Sequence, residues 1–119
     1  MAAPNLVSPT TINGKTFGAA LTTSSVDFLT AASNTVLKIN SVYVSNIDGT
    51  SNAEVTVTWY DSSATTTYNL AKTVLVPADA TLVVVDKDAY IYLEEGDKIS
   101  GLAGTASDLE ITISYEVIS

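Results

Sequence analysis

Apolar and polar side chains alternate most cleanly near the end of the chain. There Leu109, Ile111, Ile113, Tyr115 and Val117 are interleaved with Glu110, Thr112, Ser114 and Glu116. Successive strand residues point to opposite faces of a sheet, so this period predicts a strand with one face in a core and one in water. The segment "AEVTVTWY" repeats the pattern, with Val55, Val57 and Trp59 on one face and Thr56, Thr58 and Tyr60 on the other. After the turn-forming run "DSSATT", Tyr68, Leu70, Lys72, Val74 and Val76 return in register, which predicts a hairpin.

In "TVLKINSVYVSNI" the alternation slips. Leu37 and Ile39 share one parity and Val42 and Val44 the other, so the segment predicts either a bulge near Asn40–Ser41 or a strand buried on both faces. Asp48–Gly49 marks the following turn. "TLVVVD", "AYIYLE" and "DKISGL" add short strands around Asp86–Lys87–Asp88, after Pro77 and Asp79 close the hairpin. Upstream, Phe17, Leu21, Val26, Phe28 and Leu29 fit one or two strands, and the alanine pairs leave room for a short helical turn. Pro4, Asn5, Ser8, Pro9, Asn13 and Gly14 crowd the start, so residues 1–15 read as an extended arm and 16–119 as the folded domain. About seven or eight short strands without an amphipathic helix imply an all-β, two-sheet antiparallel β-sandwich. Strand spacing alone does not separate jelly-roll from immunoglobulin-like order; the jelly-roll-like order is preferred.

At 119 residues the chain has the size of one domain. Thirteen acidic residues against five lysines, with no arginine, give a net charge of −8, which repels a phosphate backbone and argues against nucleic acid as a direct partner. The start "MAAPNLVSPTTINGK" has neither a basic leader nor a long apolar run, and the longest apolar run, "LVVV", is strand-sized. Neither a signal peptide nor a membrane span is expected. Histidine and cysteine are absent. That removes the commonest base near neutral pH, thiol chemistry and disulfides, and no "GxSxG" elbow replaces them, so no catalytic residue and no cofactor are expected.

Two clusters still offer chemistry. Glu94, Glu95 and Asp97 surround Gly96 and could supply the carboxylate pair of a glycoside hydrolase, or with Asp86 and Asp88 the oxygen ligands of a calcium site. Gly96 sits where a tight turn needs backbone freedom and no DxDxDG-type loop occurs, so the cluster reads as an acidic corner between two strands, with no metal site. Among the aromatic residues, Trp59 shares the Val55 and Val57 face and is expected in the core. Tyr60, Tyr90 and Tyr92 fall on opposite parities to their apolar neighbours and are the candidate interface residues, against another chain or as a sugar-stacking surface.

Whole phrases of the chain, "KINSVYVSNIDGTSNAEVTVTWYDSS", "LAKTVLVPADATLVVVDKDAYIYLEEGDKIS" and "DLEITISYEVIS", resemble small virion proteins of tailed bacteriophages, especially those of marine and cyanobacterial hosts. The resemblance covers about Lys38 to Ser119, and its marks are turn residues: Asn46, Asp48 and Gly49; Pro77, Ala78 and Asp79; Leu93, Glu94, Glu95, Gly96 and Asp97. It implies a noncatalytic virion structural protein, made in the host cytoplasm. A capsid decoration or cement protein is preferred, because 12.4 kDa suits a subunit bound in many copies. The implied partners are further copies of the chain, a trimer in the capsid setting, and the major capsid protein or another virion protein. A tail, neck or fibre component is the alternative within the virion; a carbohydrate-binding module is the alternative outside it.

Overall fold

The computed structural model describes residues 4–119, and within them nearly all regular structure is strand. Nine strands follow in order: β1 (Ile12–Ala20), β2 (Val26–Thr30), β3 (Val36–Asn46), β4 (Ala53–Asp61), β5 (Thr66–Val76), β6 (Thr81–Val85), β7 (Ile91–Leu93), β8 (Lys98–Ala103) and β9 (Leu109–Ile118). A single 3₁₀ turn, Lys87–Ala89, separates β6 from β7. All pairings are antiparallel, and they form two sheets. One runs β1-β9-β3-β6 with β7 also on β3, and the other runs β2-β8-β4-β5.

β6 and β7 lie end to end along the same side of β3, against Val42–Ser45 and Leu37–Ile39. Taken as one interrupted strand, they leave four positions in each sheet, with the order of a jelly roll. This is the expected two-sheet sandwich, and β8 and β9 each lie between two strands formed earlier in the chain.

The core is the space between the sheets. Ile39, Val42, Val44, Ile111 and Ile113 from one sheet and Val55, Val57 and Ile99 from the other are fully buried. The slip in β3 is a bulge: its register with β9 shifts between Ile39 and Ser41. The extra residue restores the parity, so Leu37 and Ile39 face the same core as Val42 and Val44. β4 and β5 form the expected hairpin, but β5 departs from strict alternation. Its register with β4 shifts twice, between Val55 and Val57 and between Val57 and Thr58. Thr73 takes a positive φ of 46° in this irregular stretch, and its N–H is satisfied by Thr56 Oγ1 at 3.0 Å. Lys72, expected in register with Leu70 and Val74, is therefore exposed while both of them pack on the core.

Ile12–Lys15, assigned by sequence to the arm, are the first residues of β1 and pair with Tyr115–Ile118 of β9. The pairing continues upstream, because Thr10 N–H and Thr11 N–H both donate to Ser119 O. Turn residues at Asn13 and Gly14 conceal this strand; β9 supplies the ladder that local propensity does not. Ahead of it Asn5 organises a small turn, its carbonyl accepting from Ser8 N–H and its side chain from Val7 N–H.

Candidate interaction surface

The acidic corner joins three loops at one end of the sandwich. Asp97, 3% exposed, accepts hydrogen bonds from Ser62 N–H (2.9 Å), the Ser62 hydroxyl (3.1 Å) and Glu94 N–H (3.0 Å). Glu95 reaches the β2–β3 loop, where Asn34 N–H donates to its carboxylate at 3.1 Å, and its carbonyl accepts from the Ser62 hydroxyl at 2.9 Å. Gly96 has φ +86°, and a Cβ there would sit 2.9 Å from Ser62 Oγ. The carboxylates bind backbone and hydroxyl donors of the loops they join. Asp86 has a separate task, capping the 3₁₀ turn by accepting from Asp88 N–H (3.0 Å) and Ala89 N–H (2.9 Å). Among the described residues, no three His, Cys, Asp or Glu side chains are grouped so as to hold a metal ion.

The opposite end of the sandwich holds polar contacts that sequence reading missed. Asn46, 3% exposed, donates to Ser51 O and Val76 O at 2.9 Å and accepts from Asp48 N–H. Asp48 in turn caps its own turn, and the N–H groups of Thr50 and Ser51 hold its carboxyl below the usual carboxylate range. Asp108 approaches from the β8–β9 loop. Partial burial, followed by the charge of Asp48, pushes the Asp108 carboxyl up. Sixty positions separate the pair in sequence, so no local pattern could announce it.

The three candidate tyrosines do not share a surface. Tyr60 alternates with buried Val57 and half-buried Trp59 on β4, and so lies on the outer face of the β2-β8-β4-β5 sheet. Lys98 Nζ lies 5.4 Å from its ring centroid. Lys98 also pairs with Asp27 at 3.4 Å, and the Ser100 hydroxyl, 2.6 Å from Asp27, is the main reason that this carboxyl is lowered. Trp59 packs against the core as expected and stacks on Tyr68 with centroids 5.4 Å apart.

Tyr90 and Tyr92 belong to the other sheet. Tyr92 pairs with Lys38 across β7 and β3, opposite in parity to buried Leu93 and Leu37, and so faces outward. The two rings meet edge to face at 5.5 Å, and Lys38 Nζ stands 4.5 Å over the Tyr90 ring. Farther along this edge Val83 is 57% exposed beside Tyr43. A shallow, open depression of about 570 Å³ lies on this sheet between β1 and β3, lined by Gly14, Lys15, Thr16, Asn40, Ser114 and Glu116 among others. Its walls mix polar, charged and larger side chains, Ile12 and Tyr115 among them, with Asn40 donating to Glu116 at 2.9 Å.

No protein-family model matches the chain. No curated protein matches it either. Among solved structures, one similar chain comes from work described as "Bacillus endospore appendages form a novel family of disulfide-linked pili". It is 15% identical, with a TM-score of 0.49 over 91% of this chain and 85% of that one. A likeness of that size carries no functional weight.

Proposed function

We propose that this chain is a noncatalytic structural protein of a bacteriophage virion, with capsid decoration preferred over a place in the tail, neck or fibre. The resemblance of the Lys38–Ser119 phrases supplies the virion setting. The observation that supports the noncatalytic role is the use of the acidic corner: Asp97 and Glu95 bind Ser62, Glu94 and Asn34 and so join loops, which engages these two carboxylates in holding the turn. The exposed Tyr90, Tyr92 and Val83 lie on an open sheet face suited to another protein surface, and the net charge of −8 keeps the subunit off packaged nucleic acid. The partners are further copies of the chain, with a trimer expected in the capsid setting, and the major capsid protein.

The carbohydrate-binding alternative loses support because Tyr60 sits on the opposite outer face from Tyr90 and Tyr92, so the three cannot form one stacking platform. The test is location and copy number on purified particles by electron microscopy and quantitative mass spectrometry. Hundreds of copies between major capsid subunits are expected. A few dozen copies on the tail axis would move the protein to the tail, and absence from particles would overturn the virion reading.

A further inference from the structure

Edge strands expose unpaired N–H and C=O groups, and soluble proteins blunt them with bulges, brevity or interruption. Three of the four edges here are blunted. β2 is five residues long and its register breaks between Asp27 and Leu29. β5 shifts register twice. β6 and β7 are short and separated by the 3₁₀ turn, with a further shift in β6 between Val83 and Val85. The fourth edge, β1, has none of these features: nine residues run in unbroken register from Ile12 to Ala20, without proline.

The ladder with β9 identifies which groups of β1 are unpaired. Thr11 and Ser119 exchange both backbone bonds, at 2.9 and 3.0 Å, and Leu21 N–H donates to Leu109 O at 2.9 Å. Hydrogen-bonded and non-hydrogen-bonded pairs alternate in an antiparallel ladder, so the odd-numbered residues between these points direct their backbone groups to β9. Ile12, Gly14, Thr16, Gly18 and Ala20 therefore turn theirs to solvent.

We propose that this edge pairs with the same edge of a second copy, antiparallel about a two-fold axis at Thr16, joining two jelly rolls through one continuous sheet. In that register Ile12 of one copy stands opposite Ala20 of the other, Gly14 opposite Gly18, and Thr16 opposite Thr16. Every outward N–H and C=O of β1 then finds a partner. A shift by one residue sets outward groups against inward ones, and a shift by two leaves an end residue of each strand unpaired.

The absence of carboxylates from this edge favours the same meeting. A chain of net charge −8 repels its own copies, yet β1 contains no carboxylate and its single charge is Lys15. On the Thr16 face the side chains meeting at the centre are glycine and threonine, with Lys15 of one copy opposite Phe17 of the other on the second face, and even a Cβ added at Gly14 would have nothing within 4 Å in the subunit. The pairing is independent of the virion role proposed above and can coexist with contacts through Tyr90 and Tyr92.

Cysteine cross-linking tests the register, because the chain has no cysteine of its own. Residues opposite each other in a hydrogen-bonded antiparallel pair have Cα atoms about 5.5 Å apart, within the range of about 4.4–6.8 Å that a disulfide spans. Full-length Thr16→Cys should form a covalent dimer on mild oxidation, and Gly14→Cys should not. A mixture of Gly14→Cys and Gly18→Cys should form the heterodimer.

Sedimentation adds a reversible readout. Thr16→Glu and Thr16→Lys should each weaken the dimer by roughly tenfold through like charges opposed at the axis, and an equal mixture should restore it. Circular dichroism and melting would establish that each variant is folded. A wild-type chain that stays monomeric at millimolar concentration would overturn the proposal. So would equal cross-linking of Thr16→Cys and Gly14→Cys, or a charge mixture no stronger than its components.

Discussion

Replacing Asp97 by alanine should destabilise the fold by about 3 kcal/mol, whether or not calcium is present. The side chain is 3% exposed and accepts three hydrogen bonds, from Ser62 N–H, the Ser62 hydroxyl and Glu94 N–H. The hydroxyl keeps an alternative, since it also donates to Glu95 O at 2.9 Å. The two N–H groups have no other partner in the structure, and stranding a part-buried donor costs about 1–3 kcal/mol. An unfolding entropy of about 2.1 cal/mol/K per residue gives roughly 0.25 kcal/mol/K for a chain of this length, so the melting temperature should fall by about 12 °C. Asp97→Asn should fall by about half as much, because its amide oxygen can still accept from Ser62 while its NH₂ group meets Glu94 N–H. Thermal melts followed by circular dichroism, with and without millimolar calcium, measure this directly. A drop under about 3 °C, or one that appears only with calcium, would show that Asp97 is no structural tie.

Gly96→Ala should lower stability by about 1–3 kcal/mol, since its φ of +86° and the 2.9 Å approach of Ser62 Oγ both penalise a Cβ; a neutral melt would contradict this. Asp27, Asp48 and Asp61 are held below their ordinary value of 3.8, so they contribute stability above that value which is lost as pH falls through their lowered folded values. The melting temperature should change little from neutral pH to about 5 and fall below about 4; an unchanged melt at pH 3 would refute it. Asp108 has the opposite sign, since a raised folded value favours the protonated fold and disfavours the charged one. Asp108→Asn should therefore raise the melting temperature at pH 7, with the gain vanishing in acid, and a gain that persists in acid would assign it to another cause. Tyr92→Ala, at a residue 40% exposed and packed edge to face on Tyr90, should lower the melt by a few degrees at most, leave the chain folded and reduce occupancy on purified particles; full occupancy would remove Tyr92 from the interface.

What could be read along the chain was whatever neighbouring residues determine. The irregularity in β3 was legible because the parity of Leu37 and Ile39 conflicts with that of Val42 and Val44, which left a bulge or burial on both faces; the register shift between Ile39 and Ser41 makes it the bulge. The β4–β5 hairpin and β9 were legible for the same local reason. The second irregularity, in β5, was hidden: Leu70, Lys72 and Val74 keep a perfect alternation that the backbone does not follow. β1 was concealed by its composition, since Asn13 and Gly14 read as turn and only pairing with the far end of the chain makes them strand. The acidic corner could be recognised as a turn from Gly96, but its bonds to Ser62 and Asn34 come from loops distant in sequence. The meeting of Asp48 and Asp108 left no trace in either neighbourhood.

The insertion of β8 and β9 between earlier strands sets the timing of folding during synthesis. β1 and β3 have no direct pairing and are joined only through β9, as β2 and β4 are joined only through β8. While the chain is emerging from the ribosome, the strands made first must therefore wait for those made last, and a product stopped before Lys98 would lack the strand that joins each sheet. Closing loops of nearly the full chain length places folding among the slow, milliseconds-to-seconds processes of all-β domains. Until that closure, β1 exposes two unpaired edges rather than one, so the nascent chain stays prone to aggregation until β9 has emerged.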